Sequence, residues 1–290
     1  MAPRNAVPNL ITLHTSADKP MPRFSANLGF LFTELPEIER VAAAAAAGFK
    51  AVEMHWPYQV PAAEMRSALD RSKVTMLGLN TPVGNAAAGD FGLGALPGRE
   101  KEFQQALDEA ISYGHVIGAS AVHCMAGQIA ADAAAAAERT FVANLKLAAD
   151  KAAQAGMTIL IEPINHRDKP GYFLHTIEQA AAIIDQVGRQ NVRIMFDCYH
   201  TQIMQGDLAQ RIKDYLGLIG HVQFAAVPSR AEPDEGEIDY RYICRTLDSL
   251  GYEGWVGAEY KPRGRTEEGL GWLLALTQVQ IAANGHGAAA

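Results

Sequence analysis

A strand-like run followed by a helix-like run recurs roughly every thirty residues from Met21 onward, and no other feature narrows the possible folds so far. The run 24–32 (FSANLGFLF) precedes a helical pattern over 36–49, which has a proline at its start and a glycine near its end. Run 51–56 precedes helix 62–72, and run 74–80 leads through a Gly-rich loop, 83–98, into a helix over 99–117. The pattern repeats with 121–127 and 136–155, 157–163 and 176–188, 192–197 and 207–218, 219–227 and 239–251, and finally 254–260 with a helix from about 267. Strands alternating with helices of this length build a parallel sheet with crossover helices. Eight such units in about 250 residues match an α/β chain closed into a (β/α)8 TIM barrel. The competing arrangement, an open doubly wound sheet, is disfavoured because no GxGxxG follows the first strand.

The pattern leaves no room for a second domain, so residues 21–290 are expected to form one barrel. Residues 1–20 have no apolar stretch followed by a small-residue cleavage site, and MPRFSANLGF at Met21 reads as a protein start. They are expected to lie outside the core. The 83–98 loop reads as a long βα loop, which belongs on the C-terminal face where such barrels keep their active sites.

Composition closes off several function classes. A net charge of −7 gives no electrostatic footprint for nucleic acid. No apolar run reaches the ~18 residues of a membrane helix. Cys124, Cys198 and Cys244 are widely spaced, which argues against disulfides and zinc thiolates and fits a cytoplasmic protein. The sequence is compatible with a homo-oligomer.

Four strand-like runs share an unusual ending. ILIEP ends on Glu162, VRIMFD on Asp197, HVQF carries Gln223 and WVGAEY ends on Glu259. A charged carboxylate is costly to bury unless something pairs with it. At the C-terminal ends of strands five to eight these residues would converge on half the barrel mouth. Three carboxylates there repel one another unless a cation lies between them. Side-chain oxygens alone suit Mg²⁺ or Mn²⁺, whereas Zn²⁺ would recruit His or Cys.

The set ILIEPIN, FDCYHTQ, HVQFAAVPSRAEPDEGEIDY and GAEYKPRGRTEEGL resembles the hydroxypyruvate isomerase family, within the xylose isomerase-like TIM barrels. The resemblance extends upstream through LFTELPEIER, NTPVGNAAAGDFGLGALPGRE and VHCMAG, covering nearly all of residues 22–275. It implies a divalent metal at Glu162, Asp197, Gln223 and Glu259, with Glu162 and Glu259 as the catalytic pair. The chain departs from the family pattern at His55 and Trp56, where a more apolar stretch is usual, and at the PIN after Glu162. Those departures bear on substrate identity.

The chemistry that fits is proton transfer between adjacent carbons of a small hydroxy-oxo acid or sugar, through an enediolate, with a carboxylate on each flank. His200, three residues beyond Asp197, and Arg230, in PSRAEP, are candidates for holding substrate oxygens. His123 and Lys261 are further pocket candidates, and Glu53 is expected close behind the site. Cys198 should point away by strand alternation. Ketose 3-epimerisation on the same scaffold is the nearest alternative, although those enzymes usually place His where Gln223 stands. A nuclease would call for a His-rich zinc cluster and a basic surface. A non-catalytic sugar-acid-binding barrel would keep three carboxylates together at a cost in stability.

Overall fold

The structure is a computed structural model that describes residues 22–277; the expected extension at 1–20 and the end of the last helix lie outside the described residues. Among the described residues, nine short strands run in chain order: β1 (Arg23–Asn27), β2 (Ala51–Glu53), β3 (Thr75–Met76), β4 (Gly78–Asn80), β5 (Ala121–His123), β6 (Thr158–Ile161), β7 (Val192–Asp197), β8 (Ile219–Phe224) and β9 (Trp255–Ala258). All pair in parallel, in the order β3-β2-β1-β9-β8-β7-β6-β5-β4.

The two ends of that order are one strand. Only Leu77 separates β3 from β4. Its N–H donates to the Val52 carbonyl at 2.8 Å, and its own carbonyl accepts from Ala121 N–H at 3.0 Å. Further along, the Met54 N–H donates to Gly78 O at 3.1 Å and Asn80 N–H to His55 O at 2.9 Å. Residues 75–80 therefore bond to both neighbours, and the sheet closes as eight barrel strands without an exposed edge. The expected (β/α)8 barrel is what the chain forms.

The helices surround it: α1 (Glu37–Ala46), α2 (Ala62–Ser72), α3 (Glu100–Ile117), α4 (Ala134–Gln154), α5 (Ile177–Val187), α6 (Cys198–Met204), α7 (Leu208–Tyr215) and α8 (Tyr240–Ser249), with helical residues again at 271–277. Helix α5 shows how sequence sets the boundaries. Ile177, Ala180, Ile183, Ile184 and Val187 recur at three- and four-residue spacing and are buried. Thr176 caps the start by accepting the Gln179 N–H at 3.2 Å, and Gly188, left-handed at φ 62°, ends it. Removing such a cap costs about 1 kcal/mol. No helix among the described residues is long and apolar enough to cross a membrane.

Two expected boundaries differ. The first strand stops at Asn27 instead of continuing to 32. The Phe30 and Leu31 N–H groups turn back to Asn27 O, at 3.2 and 2.9 Å, and Phe32 takes a positive φ of 60°. The turn carries Gly29 and Phe30 to the barrel mouth. Helix α6 was not anticipated between 197 and 207. It starts directly after β7 because the Asp197 carboxylate accepts the Tyr199 N–H at 2.7 Å and serves as its cap. Cys198, the first residue of α6, is buried, and that burial raises its thiol pKa well above the usual value.

Inside the barrel, beneath the mouth, is a cavity of about 110 Å³ whose lining includes Glu53, His123, His221 and Gln223. Glu53 and His221 form a buried ion pair at 2.6 Å. Burial works against charge on His221, but Glu53 outweighs it and holds the imidazole above its usual pKa. Gly257 makes room for this pair: a Cβ there would overlap Glu53 Oε1 and lie 3.0 Å from His221 Nε2. Gly257→Ala is expected to destabilise the fold by about 1–3 kcal/mol, as overpacking does. Denaturant unfolding measures this, and an unchanged midpoint would mean that the pair moves aside freely.

Candidate active site

The C-terminal ends of the strands deliver the polar side chains expected there. Glu162 directly follows β6, Asp197 ends β7, Gln223 is the penultimate residue of β8 and Glu259 directly follows β9; all four are buried. Asp197 and Gln223 sit side by side in the β7–β8 register. Above them opens a cleft of about 500 Å³, within the range of small-molecule sites. Glu162, Glu259, His200, Arg230 and Lys261 line it. Gln223, His123 and Glu53 line the inner cavity below instead.

Glu162, Asp197 and His200 each offer one ligand atom, and these atoms lie within 4.8 Å of one another, so the cluster could hold a metal ion. His200 Nε2 is 3.7 Å from Glu162 Oε1 and 3.6 Å from Asp197 Oδ2. The cluster also holds unmet hydrogen-bond acceptors. Glu162 Oε1, Asp197 Oδ2 and Gln223 Oε1 are buried and have no hydrogen-bond partner. Buried acceptors rarely stay unpaired, and several unpaired oxygens at the ends of neighbouring strands are what a hard cation would satisfy. The residues present therefore fit a divalent cation.

The three carboxyl groups are treated very differently by their surroundings. Burial raises the pKa of Glu162 well above the usual range, and the charges of Glu259 and Asp197 add to it. Asp197 is pushed up to about 7, again by burial first and then by Glu259. Burial acts the same way on Glu259, but its neighbours reverse the outcome and hold it down at about 2. His55 Nε2 donates to Glu259 Oε1 at 2.7 Å, Asn27 Nδ2 to the same oxygen at 3.1 Å, and Arg230 Nη2 to Oε2 at 3.3 Å. Charge is thus favoured on Glu259 and disfavoured on Glu162 and Asp197.

Arg230 is held tightly. Its guanidinium lies 4.9 Å from the ring centroids of both Phe30 and Tyr199, and Nη1 donates to Asp168 Oδ2 at 3.3 Å. Its backbone is left-handed, φ 57°, which is unusual for a residue with a long side chain. His123 has a pKa lowered to about 3, chiefly by burial, and stands 3.6 Å from Glu162. Burial and the Arg230 charge likewise push His200 well below the usual histidine range.

Sequence reasoning assigned no role to several contributors, although it had marked His55 and the PIN segment that holds Asn165 as departures bearing on substrate identity. His55, Asn27, Asn165, Asp168 and Lys169 all reach the cleft or the side chains that line it. His55 was detectable, because it lies two residues after Glu53 in a strand run and so shares its face. Asn165 was marked only as part of the PIN departure after Glu162, because that segment has no regular period from which to infer where its side chain points.

A closed parallel barrel with buried carboxyl and imidazole groups at the C-terminal ends of its strands has the architecture of barrel enzymes, which keep their active sites at that face. More particularly, the chain belongs to the xylose isomerase-like TIM barrel family, whose pattern matches residues 41–276, and within it to the hydroxypyruvate isomerase group. It is 50% identical over 254 residues to 2-oxo-tetronate isomerase of Cupriavidus necator, covering 87% of this chain and 98% of that one. Hydroxypyruvate isomerase of Escherichia coli is 40% identical over 254 residues, with the same coverage of both chains. A solved structure from Brucella melitensis, described as an AP endonuclease of family 2, superposes with a TM-score of 0.86 at 44% identity, covering 88% of this chain and 99% of that one. By class, the protein is an isomerase.

In protein stripped of metal by a chelator, ¹³C-detected NMR should show one side-chain carboxyl titrating at about 7. That signal should vanish in Asp197→Asn. A normal, acidic midpoint for every carboxyl would contradict the burial argument.

Proposed function

We propose that this chain is a divalent-metal-dependent isomerase of small hydroxy-oxo acids, of the hydroxypyruvate or 2-oxo-tetronate kind. One observation carries the reading: Glu162 and Glu259 reach the same cleft, beside three buried oxygens that lack a hydrogen-bond partner. The relatives named above support the substrate class, and the net charge of −7 supports a small molecule over a nucleic acid.

Glu162, Asp197, Gln223 and Glu259 would hold Mg²⁺ or Mn²⁺, an all-oxygen set suited to a hard cation. When bound, the ion would supply positive charge against the oxygens of the enediolate. The rest of the work falls to side chains. With hydroxypyruvate, one Glu removes a proton from the hydroxymethyl carbon, C3, leaving an enediolate across C2 and C3. The other Glu returns a proton to C2, and the proton of the C3 hydroxyl is relayed to the C2 oxygen, so that the C3 oxygen becomes the aldehyde carbonyl and the C2 oxygen becomes a hydroxyl. The product, tartronate semialdehyde, has the same atoms and electrons as the substrate. Because the two carboxylates enter the cleft from β6 and β9, they can work in either direction of the isomerisation.

Arg230 offers its guanidinium edge to a substrate carboxylate or hydroxyl, with Phe30 and Tyr199 restricting its movement. Lys261 and Lys169 add positive charge along the same wall. His200 is positioned to hydrogen-bond a substrate oxygen, while His123 and Glu53 support the site from below.

A substrate panel of hydroxypyruvate, four-carbon oxo acids and free ketoses tests the reading, with turnover expected on the acids and not on the ketoses. Glu162→Gln and Glu259→Gln should each lower kcat by about 10²–10⁴-fold, because an amide cannot act as a base. Turnover in D₂O should leave deuterium on the substrate carbon; complete retention of the substrate hydrogen would point to a hydride shift instead.

Metal binding supplies an independent check. Asp197→Asn should weaken Mn²⁺ binding through the loss of one negative charge. Wild-type affinity should rise as pH increases through about 7, because the cation competes with the proton held by Asp197. Equal affinity in wild type and Asp197→Asn would remove Asp197 from the ligand set.

A further inference from the structure

The turn after Glu162 contains hydrogen bonds whose directions can all be assigned. Asn165 is fully buried, and its Oδ1 accepts the Asp168 backbone N–H at 2.8 Å. A backbone amide is always a donor, so this bond fixes which end of the Asn165 side chain is oxygen. Nδ2 must then donate, to His200 Nδ1 at 2.6 Å and to Asp168 Oδ2 at 3.3 Å. The Asn165 backbone N–H points at the same His200 Nδ1, at 3.3 Å. A ring nitrogen that faces two N–H donors carries no proton of its own. The hydrogen of the imidazole is therefore on Nε2.

That Nε2–H stands 3.4 Å from Arg230 Nη2, another group that can only donate. Two donors side by side do not bond each other; both are free to approach a single acceptor. Asp168 organises both of them. It accepts from Asn165, which holds the imidazole, and directly from Arg230 Nη1 at 3.3 Å.

We propose that Asn165 and Asp168 are positioning residues that lock His200 as the Nε2–H tautomer, so that His200 and Arg230 present paired donors to one substrate oxygen. It follows that His200 does not ligate the metal through Nε2, because the electron pair a ligand would use is occupied by hydrogen. His200 thus stands beside a site made only of oxygen donors, although its distances alone would admit it as a ligand. The substrate oxygen in this proposal rests on the isomerase reading; the tautomer does not.

Three measurements test it. Long-range ¹H–¹⁵N correlation on histidine-labelled, metal-free protein should show His200 with an unprotonated Nδ1 and a protonated Nε2. The opposite tautomer, or a doubly protonated ring near neutral pH, would overturn the proposal. His200→Gln should bind Mn²⁺ within about threefold of wild type, and a loss as large as that of Asp197→Asn would make His200 a ligand after all. Asn165→Ala should produce mixed tautomer signals and lower kcat about tenfold or more, with Mn²⁺ affinity unchanged. Unaltered tautomer signals in that variant would end the positioning role. The spectra and the titrations need no turnover, so a chain with the expected tautomer but no isomerase activity would refute the functional reading alone.

Discussion

Three carboxyl groups share one water-poor barrel mouth, and that crowding governs how the surrounding structure is arranged. Each group pays the desolvation cost of burial, and each raises that cost for the other two. The chain answers in two ways. Around Glu259 it gathers Asn27, His55 and Arg230, enough donors and positive charge to keep that carboxylate ionised. Around Glu162 and Asp197 it leaves oxygens without donors, which disfavours charge on these two groups. The first arrangement fixes charge in the fold itself, and the second leaves a cluster that could accept a cation.

Holding such a cluster requires a rigid support, and the closed sheet supplies it. The residues around Leu77 bond to strands on both sides, so no edge is available for the mouth to open. The strand ends fix where each carboxylate starts, and the βα loops bring the groups that tune it. Phe30 arrives from the loop after β1, His55 from the one after β2 and Arg230 from the one after β8. Below the mouth, the Glu53–His221 pair accepts a long hydrogen bond, 3.4 Å, from Gln223 Nε2, which leaves Gln223 Oε1 unpaired.

The barrel was legible because its information is periodic. Apolar runs alternating with amphipathic ones specify strands and helices regardless of what happens at their ends, and Glu162, Asp197, Gln223 and Glu259 stood out as oxygen-bearing interruptions of those runs. What could not be read depends on single contacts. The turn at 28–32 looks like more strand, since Leu28, Phe30 and Leu31 are as apolar as a strand requires; only the backbone bonds to Asn27 O bend it. Helix α6 is seven residues long and begins at a capping aspartate that was assigned a different purpose. Asn165 matters through one amide orientation, which no pattern of residue types encodes.

The left-handed backbone at Arg230 has an evolutionary consequence. Held conformations of this kind cost about 1–3 kcal/mol and are relieved most easily by glycine. At this position, however, glycine would delete the guanidinium that faces Glu259 and Asp168. With Arg230 in the substrate-holding role proposed above, selection for thermal robustness and selection for turnover would pull on residue 230 in opposite directions. A lineage that no longer needed the reaction would be free to relax there, so a glycine at this position in an otherwise intact barrel would be an early mark of a chain that has exchanged catalysis for stability.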